Sequence, residues 1–216
     1  MNAFEKEPRN QVVRVPNRGH YDKETIYKIL DEALICHVGF ASENQPFVIP
    51  TIHARDGDKI LLHGATTSRL LKHVEAGHPL CITVTHVDGL VLARSVFHHS
   101  MNYRSAVVFG KGKLLAAEEK WDALERFTEK LIPGRWDDAR QPTKQELKAT
   151  TIVAVDIESA SAKVRTGAPK DDEEDYGLDV WAGVVPMTVT FQAAEADAEL
   201  KAGVELPDYL QNFESN

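Results

Sequence analysis

Ser68 and Arg69 open a helical pattern in LLHGATTSRLLKHV, residues 61–74, with Gly64, Thr66 and Thr67 just before them and Lys72 three residues on. No Asp or Glu falls in this stretch, although the chain carries a net charge of -8. The residue types suit an anion, a phosphate above all. A helix start offers unpaired amides and about half a positive charge. Gly64 permits close backbone approach, and the hydroxyls of Thr66, Thr67 and Ser68 can donate. The Arg69 guanidinium is a planar fork that matches phosphate oxygens, and Lys72 shares its helix face. Leu70, Leu71 and Val74 fall on the other side, where they can pack. The plainer alternative is a capped surface helix with solvated cations, since Ser and Thr cap many helices. Neither GxxxxGKS/T nor a GxGxxG after a strand is present, so the P-loop and doubly wound ways of holding a nucleotide are not expected.

Nine histidines are scattered through the chain. None forms HExxH, and the neighbours His98 and His99 would diverge on a strand, so no metal site is expected. His63 lies in the strand before the anion turn and can face a bound ring or a substrate. A strand-end histidine bonded to backbone is the competing reading. His53 alternates with Thr51 and can line the same pocket. Trp181 opens WAGVVP and either closes a pocket or packs in a core or interface. Lys163 and Arg165 alternate on one strand face, where they grip an anionic group or face water.

The elements that must position these residues follow from periodicity. YDKETIYKILDEA (21–33) reads as a helix capped by Asp22. Strands are expected at 34–41, 47–54 and 59–64, with a hairpin turn at the Asp-Gly pair of RDGDK. Pro50 cannot donate to a ladder, so it belongs at an edge or bulge. The helix after Gly64 should run from near Thr66 to Gly77. Strands 79–87 and 90–97 flank Asp88-Gly89, a second tight-turn signal. A long strand with two glycines covers 103–117, and 118–132 is an amphipathic helix. A short helix around TKQELKA, a strand over 151–167, an acidic mobile loop at 171–179 and a strand or extended arm at 181–192 complete the pattern. Six or so strands joined mainly by tight turns argue for an antiparallel barrel rather than a doubly wound sheet. The expected organisation is a single domain, 1–216, with a helical insert at about 118–149 and an extended C-terminal tail.

Composition bounds the function. Hydrophobic residues make up 43% and charged residues 27%, ordinary for a soluble globular chain. No run of about 18 apolar residues appears, so no membrane span is expected. MNAFEKEPRNQ lacks an apolar leader core, which makes a cytoplasmic location the expectation. Cys36 and Cys81 sit in apolar runs and read as buried free thiols. A pI near 5.6 argues against general nucleic-acid binding. Residues 89–117 contain no acid at all, where the average density would place about four. The same run carries Arg94, Arg104, Lys111 and Lys113. A local positive field in an acidic protein suits a small anionic ligand.

Three segments in order, QPFVIPTIHARDGDKILLHGATTSRLLK, DGLVLARSVFHHSMNYRSAVVFGKG, and SAKVRTGAP with WAGVVP, resemble the pyridoxamine 5'-phosphate oxidase-like flavoproteins, in particular the nitroimidazole-resistance-type branch. The likeness runs from about Arg14 to Met187. It implies a mainly β fold with flanking helices, a six-stranded antiparallel split barrel, and a homodimer binding FMN at its interface. It places the phosphate at Ser68 and Arg69 with Lys72 close by, and the ring against Ile49, Pro50 and Thr51. Asn102, Tyr103, Arg104 and Ser105 would come from the partner subunit. The function implied is an FMN-dependent oxidoreductase acting on a small molecule, nitroreductase-like in one version. His63, Tyr103 and Arg104 are candidates by position to protonate or orient a substrate, and His63 and Trp181 to touch the flavin. The alternative is a flavin- or haem-binding sensor, carrier or haem-handling protein. The basic and aromatic C-terminal pattern that grips pyridoxal phosphate is missing, which argues against pyridoxamine phosphate as substrate.

Overall fold

A computed structural model describes residues 2–211 and 213. Its helices are α1 (Lys23–Glu32), α2 (Arg69–Glu75), α3 (Lys120–Leu131), α4 (Arg135–Asp138), α5 (Lys144–Ala149) and α6 (Asp208–Gln211). Its strands are β1 (Gly19–His20), β2 (Ile35–Ser42), β3 (Gln45–Asp56), β4 (Lys59–Ala65), β5 (Pro79–Leu92), β6 (Ser100–Leu114), β7 (Thr150–Asp156), β8 (Ser159–Arg165) and β9 (Gly183–Pro186). The sheet order is β1-β8-β6-β7-β4-β3-β2-β5-β9, and a further β5–β6 pairing closes six strands into a ring. Every pairing is antiparallel. The mainly β fold with flanking helices expected from the sequence, a six-stranded antiparallel split barrel, is what forms.

Strand alternation builds two cores. Val38, Ile60, Leu62, Ile82 and Val108 point into the barrel, where Ile26, Ile29 and Leu30 of α1 join them. Leu61, Ile152 and Ala154 point outward and are covered by Ala123 and Phe127 of α3. The cap of α1 is as expected: the Asp22 carboxylate accepts from the Thr25 amide at 2.8 Å. Cys36 is buried and Cys81 half-buried, both free thiols, and burial pushes the Cys36 thiol up to about 12.

The long strand β6 serves both halves of the barrel. It pairs with β8 as far as Phe109 and with β7 from Gly112. Between them the Gly110 backbone presses so closely on Asp156 that a Cβ there would stand 1.8 Å from the Asp156 carbonyl oxygen. The two glycines mark this change of partner.

Several expected boundaries differ. Asp88-Gly89 is not a turn. Because β6 offers a ladder on both sides of it, β5 runs straight through with a bulge between Val87 and Gly89. Strand β5 ends at Leu92, and Val96–His98 is one 3-10 turn. The segment 151–167 splits into β7 and β8. Helix α2 begins at Arg69, because the Ser68 amide donates back to the Ala65 carbonyl and makes a turn first. The acidic loop is anchored rather than free: the Asp171 side chain is fully covered and accepts from the amides of Arg94 and Ser95 at 2.9 and 3.2 Å. Among the described residues no helix is long and apolar enough to cross a membrane.

Candidate cofactor-binding site

The mouth expected to take an anion lies where the barrel wall splits. Strands β3 and β4 pair only from His53 to Asp56 on the β3 side, after which β4 stays with β7 to Ala65. Residues 45–52 of β3 keep a ladder partner only in β2. Pro50 sits in this one-sided stretch, as its missing N–H requires. The turn Ala65–Ser68 faces the gap. The Arg69 guanidinium crosses it and stacks on the Phe47 ring, 4.3 Å from the centroid. Ser68 makes no capping bond with its hydroxyl, which stays available. Arg69 and Lys72 are exposed, and among the described residues neither joins an ion pair. Since α2 has only seven residues, its dipole is small, and an anion here would be held mainly by side chains. Phe47 gave no sequence signal; a strand aromatic reads as core until its partner is known.

Side chains on β3 alternate. Ile49 packs against the barrel core, and the Thr51 hydroxyl donates to its neighbour's carbonyl. Pro50 faces outward with the unpaired backbone edge. His63 points out of the barrel beside Leu61 and meets the Phe127 ring edge-on at 4.7 Å, half under α3. Burial pushes its imidazole below the usual range.

The remaining candidates stand apart from the mouth within one chain. Tyr103 and Ser105 lie on β6, three strand positions from β3, roughly 14 Å at the usual spacing. The Ser105 hydroxyl donates to the Lys163 carbonyl. Asn102 is buried, donating to the Gly167 carbonyl and accepting from Arg165. Arg104 is occupied: it forks onto the Asp88 carboxylate at 3.0 Å and also binds Glu32. Arg94 pairs with Asp171 at 3.2 Å. The positive field expected around 89–117 is therefore neutralised at these two positions by acids remote in sequence. Trp181 is 68% exposed and lies over Gly183.

The outer face of β3, β2, β5 and β6 is open. Ile35 and Val48 are 50% and 67% exposed, with His37, Pro50, Thr83 and Val107 alternating onto the same side. Water would not favour so apolar a sheet face.

Most histidines are spent. The Nε2 atoms of His73 and His86 lie 3.1 and 3.0 Å from the carbonyls of Pro79 and Ile29. The Nδ1 of His99 accepts the Ala93 amide, while Nε2 of His98 lies 3.1 Å from Asp172, so the two rings do diverge. His98, Asp172 and Asp175 form a surface grouping with one ligand atom each within 4.8 Å. His37 and His78 are exposed, and among the described residues no hydrogen bond engages their rings. His53 is fully buried, with Nε2 2.9 Å from the Leu30 carbonyl and 3.0 Å from Nζ of Lys130. Thus His53 joins α1, β3 and α3 rather than lining the mouth.

Burial first, and Lys130 second, push His53 down to about 4, and burial pushes Lys130 down to about 8. For His53 the native state resists a proton that the unfolded chain accepts near 6.5. Its contribution to stability is complete above that pH and is lost as the pH falls toward 4. Urea midpoints from pH 7 down to 4 should fall, and the fall should be smaller in His53→Gln. Identical profiles would refute the assignment.

Residues 22–164 match the family model described as pyridoxamine 5'-phosphate oxidase. The chain is similar to the flavocytochrome Anf3 from Azotobacter vinelandii, at 38% identity and TM-score 0.90, covering 96% of this chain and 97% of that one. It is similar also to an FAD and heme binding protein from Mycobacterium smegmatis, at 34% identity and TM-score 0.87, covering 91% and 97%. A putative 5-nitroimidazole antibiotic resistance protein from Bacteroides thetaiotaomicron shares the fold at 24% identity and TM-score 0.58, covering 68% and 86%. No curated protein matches the chain.

Proposed function

The chain belongs to the pyridoxamine 5'-phosphate oxidase family, and from that premise we propose that it is a flavin-binding protein that also takes up haem. The carrying observation is its similarity over nearly the full chain, at 38% and 34% identity, to a flavocytochrome and to an FAD- and haem-binding protein. The relative from Mycobacterium smegmatis, an FAD and heme binding protein, favours FAD over the FMN expected from the sequence. The mouth suits either, because both carry a phosphate next to the ribityl chain.

The residues fit the group. Ser68, Arg69 and Lys72 offer donors and charge for the phosphate. Residues 45–52 of β3 pair only with β2, so alternate backbone groups on the other edge, the Pro50 carbonyl among them, are free to meet the polar rim of a ring. The open sheet face supports a homodimer, in which Tyr103 and Ser105 of one protomer can approach the mouth of the other. An iron would find an uncommitted imidazole at His37 or His78, whereas His53, His73 and His86 are tied to carbonyls. Bound flavin supplies hydride or single-electron transfer, and the chain supplies position and charge.

An oxidoreductase acting on a small molecule, nitroreductase-like or oxygen-using, is a second reading. It is favoured by a cleft of about 590 Å³ lined by Leu34, Asp88, Arg104, Met187 and Phe191. Arg104 would orient a substrate there, while His63 and Tyr103, the other positional candidates, stand outside the lining of this cleft.

Absorbance of the purified protein tests the main reading. Bands at roughly 370 and 450 nm are expected from flavin, with a strong band at about 400 nm from haem, each characteristic of the group itself. His37→Ala or His78→Ala should remove the haem band and spare the flavin bands. A colourless protein that takes up neither group would sink the proposal.

A further inference from the structure

Arg165 is a buried cation without a counter-ion. The residue is 7% exposed. Its Nη1 donates to Oδ1 of Asn102 and to the Gly167 carbonyl at 3.4 Å, and its Nη2 to the Ala168 carbonyl at 3.4 Å. All three acceptors are neutral, and the two carbonyl bonds are long for a charged donor. Nε is buried and has no partner. Burial, and then repulsion from Arg18, hold the guanidinium below its usual range. Among the described residues, Arg18, Lys163 and Arg165 join no ion pair.

The fold gathers further donors around this group. Lys163 stands two residues earlier on β8, on the same strand face, paired with Gly19. Arg18 ends the 3-10 turn Pro16–Arg18 directly before β1. That turn follows Val15, a β-branched residue held at φ 57°, where such side chains are strained. The backbone thus accepts strain next to a turn that sets one cation near another. Tyr103 faces Arg165 across the β6–β8 ladder, and among the described residues its hydroxyl has no partner. Buried charges are ordinarily paired, because stripping water from an isolated ion is costly. Three cations and a phenol without an acid call for an anion from outside the chain.

We propose that Arg18, Lys163 and Arg165, with the Tyr103 hydroxyl, form a second anion site that takes a phosphoryl group of a small-molecule ligand. Within one chain it is distinct from the Ser68–Arg69 mouth, lying on β6 and β8 rather than at the β3–β4 split. Guanidinium forks match phosphoryl oxygens, and three positive charges suit a dianion. The source is the second phosphoryl of a dinucleotide or a separate phosphorylated compound. The site does not depend on the flavin reading.

Calorimetric titration with inorganic pyrophosphate tests it, on the protein stripped of cofactor and on the protein loaded with flavin. The stripped wild type should bind saturably. Lys163→Gln and Arg18→Gln should each weaken binding about tenfold, the loss of one charged bond. Both side chains reach solvent, so their removal should leave the melting temperature close to wild type. Arg165→Gln should weaken it at least as much. Competition by FAD but not by FMN assigns the site to a dinucleotide. Undiminished binding to the flavin-loaded protein assigns it to a separate ligand. No saturable binding by wild type, or equal binding by folded variants, overturns the proposal. Absence of flavin uptake alone would sink the flavin reading and leave this one standing.

Discussion

Aspartate in place of Val48 should split the proposed dimer and strip its flavin together. Val48 is 67% exposed in the single chain and points out of the barrel on the open face. A charge there is solvated in the monomer, so the fold should survive with its circular dichroism and melting temperature little changed. In a dimer built on this face the carboxylate would be buried without a partner, which costs several kcal/mol. At 1.4 kcal/mol per factor of ten, the dimer dissociation constant should rise by about a thousandfold. Flavin should follow, because in the proposed dimer the mouth of one protomer is completed by Tyr103 and Ser105 of the other. Val48→Thr should stay dimeric and coloured. Sedimentation velocity at micromolar concentration decides the matter: a wild-type monomer, or a variant that remains a dimer with flavin bound, removes the basis for the shared site.

Arg69→Ala should weaken flavin binding by about 1.5–3 kcal/mol, the usual worth of a hydrogen bond to a charged group, or roughly 10- to 150-fold. The short helix α2 contributes little dipole, so the guanidinium is the main positive group at the mouth. Arg69 is exposed and its contact is with the Phe47 ring, so its removal should cost little stability. Lys72→Ala, one turn deeper, should weaken binding less. The readout is the fluorescence change on adding flavin to stripped protein. Equal affinity in wild type and Arg69→Ala would place the phosphate elsewhere. Comparable losses for FMN and FAD would show that the shared phosphate is what this residue holds.

The legible parts of the fold were local. The Asp22 cap, the Asp-Gly hairpin after β3, the one-sided place of Pro50 and the amphipathic face of α3 follow from side-chain shape and periodicity over a few residues. So does the antiparallel ring, because short strands joined by tight turns leave few other ways to bury their apolar faces. Asp88-Gly89 carried the same turn signal as Asp56-Gly57 and became a bulge. The difference lies outside the dipeptide. Strand β6 is long enough to hold β5 on both sides, and β9 comes so close to Gly89 that a Cβ would meet the Val185 carbonyl oxygen at 2.9 Å.

Charge separates sequence from structure most sharply. The sequence by itself determined which residues carry charge and that residues 89–117 include no acid. Only the tertiary structure decided which charges stay free. Folding brings Glu32 and Asp88 onto Arg104 and Asp171 onto Arg94, so two of the four cations in the most basic-looking run are neutralised. Arg165, six residues ahead of an acidic loop, ends without a carboxylate, because Asp171 is drawn to the amides of Arg94 and Ser95. Coulomb energy depends on distance through space and on local dielectric, neither of which is ordered along the chain.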